Sequence, residues 1–198
     1  MKTMNELFRL VILENELGGD ISFALKFSDA DGVRSGKSGW SFGVCQFDTQ
    51  NNSMALSCLR ECGFSEVEIQ GIVKQTIPID PLSARLLTKG SIIARYDEAQ
   101  LSMCLTNAVN FNNERKIPVT DTAAILAQAD YINQYGSMGD GMAKYLKELR
   151  RPVTAKDILN FKLNNTKYGR EHPSDCGRRY NNLIKVLQNA GVSIVGEV

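Results

Sequence analysis

The stretch ENELGGDISFALKFSDADGVRSGKSGWSFGVCQFD, Glu14 to Asp48, decides how this chain is read. Its first residues close an apolar helix over residues 4–17 that stops at the Gly18–Gly19 pair, as glycine just past a helix C-terminus does. At about 100° per residue, Leu7, Leu10, Val11, Glu14 and Leu17 share one face of that helix, while Arg9 and Glu16 point the other way. Glu14 is therefore expected near the middle of the apolar stripe, a setting that disfavours the charged form of a carboxylate. Glu16 is expected on the wet side. Residues 21–27 alternate, with Ile21, Phe23, Leu25 and Phe27 set against Ser22, Ala24 and Lys26. That period of two predicts a half-buried strand. Residues 28–39 are turn-forming, and Trp40 to Phe47 are β-prone and predicted to pair back as a hairpin or small sheet.

Beyond residue 50 the signals are helical. Residues 54–62 form one segment that ends at Gly63, and Ser65 with Glu68 has the capping-box form that opens another. Pro78 and Pro81 punctuate before residues 82–90, and residues 91–111 are long enough for a central buried helix. Asp121 caps the next helix, Asp140 precedes another, Thr154 with Asp157 opens a third, and Ser174 starts the last. No repeat, low-complexity tract or linker interrupts them. The expected architecture is α+β and mostly α. It reads as a single domain over 1–198, with 1–50 as a helix and β-element and 51–198 as a helical lobe.

Composition bounds the function. A chain of 198 residues with 43% hydrophobic and 23% charged residues can bury a sizeable core. Its 23 basic and 22 acidic residues argue against nucleic acid as a partner, because phosphate binding needs a basic excess. Cys45, Cys58, Cys62, Cys104 and Cys176 hold no C-x-x-C pair, and His172 is the sole histidine, so reduced core cysteines are expected and a metal site is not. No cofactor is implied. The N-terminal run carries Glu6 and Arg9 and no small-residue cleavage site, and no apolar run approaches membrane-spanning length. The expectation is a monomer made in the cytoplasm, without membrane insertion, that reaches any outside target by release or injection.

The organising stretch is rich in carboxylates. Glu16, Asp29, Asp31 and Asp48 could each work with Glu14. Glycoside hydrolysis needs one protonated carboxyl to donate to the leaving oxygen and an ionised one that attacks, activates water or steadies the oxocarbenium ion. Environment separates the two roles, and an apolar helix face for Glu14 against a polar loop for Asp29 has that contrast. Asp48 ends the β-prone segment and is the second candidate. Asp29 and Asp31 are also plain turn formers. They resemble a calcium-loop fragment, but no bidentate glutamate follows at the right distance. Gly32, Gly36, Lys37 and Ser38 lack the spacing and following helix of a phosphate loop. Trp40, Phe42 and Phe47 fit a core more readily than a sugar platform.

The string from Ser41 to Asp48 is similar to the Gly-Leu-Met-Gln signature of goose-type lysozymes and lytic transglycosylases, with Val44–Cys45 in place of Leu-Met and Asp48 matching the aspartate after it in the goose type. Glu14 followed by Gly18 resembles the catalytic glutamate at the end of that family's first helix. Glu16-Leu17-Gly18-Gly19 offers an alternative alignment, to the transglycosylase Glu-Ser-Gly-Gly. The path from acidic loop to Ser41-Phe42-Gly43 also resembles phage lysozymes, where Asp29 would take the aspartate place and Ser41 the threonine place. The match spans about 40 residues. It implies a lysozyme-like fold and a muramidase acting on the glycan strands of peptidoglycan, in the manner of a phage endolysin or an injected effector. Glu14 would be the general acid, Asp29 or Asp48 its partner, and Ser41, Gly43 and Gln46 the groove residues. A lytic transglycosylase and a non-catalytic module on the same fold are the alternatives.

Overall fold

In the computed structural model, which describes residues 2–29, 32 and 36–194, helix α1 spans Met4–Leu17 and buries Leu7, Phe8, Val11, Ile12 and Asn15. The buried stripe is thus rotated from the expected one. Asn15 ends it, and Glu14 flanks it half-buried, as does Glu16. A three-stranded antiparallel sheet follows, in the order β1 (Ser28–Asp29), β2 (Trp40–Phe42) and β3 (Phe47–Asp48). Then come α2 (Ser53–Glu61), α3 (Glu66–Val73), α4 (Asp80–Leu86), α5 (Gly90–Arg115), α6 (Thr122–Tyr135), α7 (Asp140–Glu148), α8 (Ala155–Asn165), α9 (Lys167–Glu171) and α10 (Pro173–Asn189). The fold is α+β and mostly helical, as expected. Capping explains much of it. Ser65 and Glu68 close a reciprocal box on α3, Thr154 and Asp157 do so on α8, and the Asp121 side chain accepts from Ala123 N at the start of α6.

Two compact units form. One gathers the chain up to Asn15 with everything from Leu101 onward, and the other is Glu16–Gln100. In the first unit α6, α8 and α10 pack on one another around Leu126, Ile158, Leu183 and Leu187, with Phe8, Val11 and Ile12 also fully buried. In the second, Phe27 meets Phe42 at 5.5 Å and Phe64 at 6.2 Å between ring centroids, and Phe42 meets Phe47 at 5.6 Å. Phe42 and Phe47 are core, as their pattern suggests. All five cysteines are buried free thiols.

The strand expected over 21–27 is a 3-10 helix, Ile21–Leu25. Asp20 decides this. Its side chain accepts from Ser22 N at 2.9 Å, a local bond that favours a turn over an extended chain. Ile21 and Phe23, expected inside, are each 50% exposed, while Ala24 and Phe27, three apart, are buried.

The β-prone segment from Trp40 to Phe47, expected to pair back into a hairpin or small sheet, folds on itself as a tight hairpin within a small sheet. Gly43 (φ +80°) and Gln46 (φ +49°) bend the chain between β2 and β3. Buried Asp97 on α5 holds that bend, accepting from Val44 N and Cys45 N at 3.0 Å each. Gly43 therefore does not sit in a strand interior. Its N–H donates to Ala24 O at 2.8 Å, and a Cβ there would lie 2.8 Å from Asp97 Oδ1 and 2.9 Å from the Phe47 ring.

Gly43→Ala should cost about 2–5 kcal/mol, because a left-handed backbone and two close contacts both oppose a side chain. Asp97→Ala should cost a similar amount by leaving two buried N–H groups without an acceptor, and Asp97→Asn less, since its amide oxygen still accepts. Urea denaturation of the purified variants reads both; unchanged midpoints would refute the packing account of the bend.

Candidate functional site

The helix α1 ends with its last carbonyls unpaired by helical bonding, and α10 supplies the donors. Asn182 Nδ2 reaches Glu14 O at 3.5 Å and Asn15 Oδ1 at 3.1 Å. Arg178 Nη1 donates to Asn15 O at 3.1 Å, while its Nη2 and Nε hold Asp175 Oδ1 at 2.6 and 3.1 Å. Tyr168 closes that chain by donating to Asp175 Oδ2 at 2.9 Å, and burial together with this bond pushes its hydroxyl up to about 12. Two side chains of α10 thus hold the carbonyls of Glu14 and Asn15. Its carboxylate makes no hydrogen bond or ion pair among the described residues.

Asn15 leads inward to a buried charge cluster. Its Nδ2 donates to Asp130 Oδ1 at 3.2 Å. Arg179 grips the same carboxylate with Nη2 at 2.5 Å and Nε at 3.2 Å, and Lys162 Nζ stands 3.8 Å from Oδ2. Burial alone would push Asp130 up. The charges of Arg179 and Lys162, with the bonds from Arg179 and Asn15, overcome it and hold the carboxyl below its ordinary range. Lys162 moves down as well, driven by burial and opposed by Asp130. The two shifts are consistent with Arg179, at contact distance, neutralising Asp130 and leaving the more distant Lys162 under-compensated. Lys162 also donates to Gln134 Oε1. None of these polar residues stood out in the sequence; the available signal was a charge at an apolar helical phase.

The other expected site residues lie in the second unit, gathered by the sheet. Ser28 pairs Ser41 and Ser41 pairs Asp48, so those three share one face; Asp29 pairs Trp40 and takes the opposite one. Asp48 and Asp29 therefore face apart. Asp48 is engaged by its own loop: Oδ1 accepts from Gly39 N and Gln50 N at 2.8 Å each, and Oδ2 from Asn51 Nδ2 at 2.5 Å. Asp29, half-buried, accepts from Gln75 Nε2 at 3.4 Å. Gln46 braces the bend, donating to Gly43 O at 2.9 Å and accepting from Ser28 Oγ at 2.6 Å. Ser41 is 1% exposed, and its hydroxyl has no partner among the described residues. Gly43 is enclosed by Asp97 and Phe47 rather than open to a groove. Asp31 lies outside the described residues. Among the described residues no three His, Cys, Asp or Glu side chains gather as metal ligands, and no helix is long and apolar enough to cross a membrane.

No family model and no curated protein matches the sequence. Among solved structures, the chain is similar to the GH46 chitosanase of Gynuella sunshinyii in complex with chitotetraose, with a TM-score of 0.60 and 15% identity over 97% of this chain and 91% of that one. The shared fold is lysozyme-like.

The buried cluster makes a stability prediction. Asp130→Asn should cost about 3–5 kcal/mol at neutral pH, the usual penalty for removing one partner of a buried ion pair. Because the folded carboxyl titrates below its unfolded value, its contribution is complete above the ordinary aspartate range near 3.9 and is lost as pH falls through the folded value. Urea melts from pH 7 downward should show wild type losing that increment in acid and the variant lacking it; parallel curves would refute it.

Proposed function

We propose that this chain is a glycoside hydrolase that cleaves the β-1,4 bonds between N-acetylmuramic acid and N-acetylglucosamine in peptidoglycan, with Glu14 as general acid. The observation that carries the reading is the Glu14 carboxyl itself. It is half-buried and without a partner among the described residues, on backbone that Asn182 and Arg178 pin. A carboxyl left unpaired on anchored backbone is available for proton donation to a leaving oxygen. The fold likeness to a chitosanase structure supports a glycan as substrate, and the Ser41–Asp48 resemblance supports peptidoglycan in particular.

In this reading Glu14 donates its proton to the glycosidic oxygen, and Asp29 is the ionised partner that activates water or steadies the oxocarbenium ion. Asp29 is kept as the leading partner and Asp48 as the runner-up, the latter accepting three hydrogen bonds from its own loop. The two acids belong to different units. A second reading, hydrolysis of a glucosamine polymer, is favoured by the chitotetraose in the similar structure.

Glu14→Gln should leave helical content intact and lower turbidity loss of bare cell walls by about a hundredfold or more, the low end for general acid catalysis. Glu16→Gln should be nearly silent, and Asp29→Asn should be far more damaging than Asp48→Asn. Mass spectrometry should find reducing muropeptides. Intact walls beside degraded chitosan would replace this reading with the second, anhydro ends would make the protein a transglycosylase, and an active Glu14→Gln would remove Glu14.

A further inference from the structure

The C-terminal half of α5 and the helix α7, both in the first unit, frame a groove in two parts that share Arg115. The first part, about 280 Å³, is lined by Asn107, Asn110, Phe111 and Glu114 of α5 and by Ser137 and Met138. The second, about 510 Å³, is lined by Arg115, Lys144, Lys147 and Arg150 together with Asp140 and Glu148. Each is in or near the size range of small-ligand sites. Neither touches Glu14 or any residue of the sheet.

The chemistry of the two parts differs. Asn107, Asn110 and Glu114 stand at i, i+3 and i+7, so they present amides and a carboxylate on one helical face. Those side chains and Ser137 make no hydrogen bond among the described residues. Arg115 is fixed at the junction, its guanidinium 5.6 Å from the Phe111 ring centroid and paired with Asp140. Past it, Lys144, Lys147 and Arg150 are exposed, without an ion pair among the described residues, and at three-residue steps along one edge. The overall charge of +1 hides this local excess.

We propose that this groove is a second, non-catalytic binding site for an N-acetylated glycan bearing carboxylates. Asn107, Asn110, Glu114 and Ser137 hydrogen-bond the acetamido and hydroxyl groups, and Lys144, Lys147 and Arg150 meet the carboxylates. A glycan with free ammonium groups is repelled at the cationic end. The inference rests on the glycan-cleaving reading above and deepens it, since a wall polymer rich in N-acetyl groups and in unsubstituted lactyl or stem-peptide carboxylates has both features.

The test uses the full chain and backbone amide shifts of residues 107–115 and 144–150. The probes are a soluble muramic-acid-containing tetrasaccharide, a neutral chitin tetrasaccharide and polyphosphate. The muramic tetrasaccharide should move both sets of amides. The double variants Asn107→Ala/Asn110→Ala and Lys144→Gln/Lys147→Gln should each weaken it by about tenfold or more. The neutral tetrasaccharide should weaken in the amide variant alone. All altered residues are exposed, so melting temperatures should hold within a few degrees. Unmoved amides at saturating glycan, or polyphosphate binding as tightly as the glycan, would overturn the site. Wall lysis with an unmoved groove removes this inference alone; a groove that binds in a protein without lysis removes the catalytic reading alone.

Discussion

A carboxylate taken out of water must be met by donors and positive charge, or it will not stay ionised. Asp130 imposes that constraint on the first unit. To satisfy it, α6, which carries Asp130, has to lie where α10 delivers Arg179 and α8 delivers Lys162, and Asn15 of α1 contributes a further donor. Four helices are thereby set by one side chain. The same contact chain continues from Asn15 through Asn182 to the carbonyl of Glu14, so the cluster that fixes the helices also fixes the backbone next to the proposed acid. Hydrophobic packing supplies the bulk of the driving force, but it is non-directional; the directional part comes from this network and from the Asn112–Gln128 amide pair, whose two side chains exchange bonds at 2.6 and 2.9 Å.

The second unit repeats the device on a smaller scale. Strands of two and three residues cannot hold a sheet by their own ladder bonds. Asp97 replaces the missing bonds by taking two backbone N–H groups of the bend, while Gln46 and Asp48 tie the neighbouring loop segments. The aromatic cluster of Phe27, Phe42, Phe47 and Phe64 then covers the bend from the apolar side.

How far the sequence reveals this depends on the range of the interaction. Helices that open on a local cap, such as α3, α6 and α8, are legible because that signal lies within a few residues. The β-element is legible as a location but not in its form. The alternation over 21–27 looks like a strand until Asp20 is seen to cap a 3-10 turn, and the glycine in Ser41–Asp48 looks like a strand interior until Asp97, more than fifty residues away, is seen to hold a bend. Asp97, Asp130 and Arg179 share a neglected signal. Each is a charge in the phase of a buried helical stripe, Asp97 lying between Ile93 and Leu101. The mismatch between polarity and helical phase that points to Glu14 points equally to these three, which are more deeply buried.

That comparison bears on which carboxylates are left for chemistry. Asp48, Asp97, Asp130 and Asp157 each accept several bonds from groups that define the fold: Asp157, for instance, takes both arms of Arg151 at 2.7 and 2.8 Å as well as the amide of Thr154. Such a group is committed to the contacts that define the fold, so it is a poor candidate for acid or base chemistry. Glu14 is placed the other way. Its backbone carbonyl is held by the Asn182 side chain while its carboxyl has no partner among the described residues, so the carboxyl is left available for chemistry. Burial alone would have singled out Asp130; what distinguishes Glu14 is that the structure fixes its position without engaging its carboxyl.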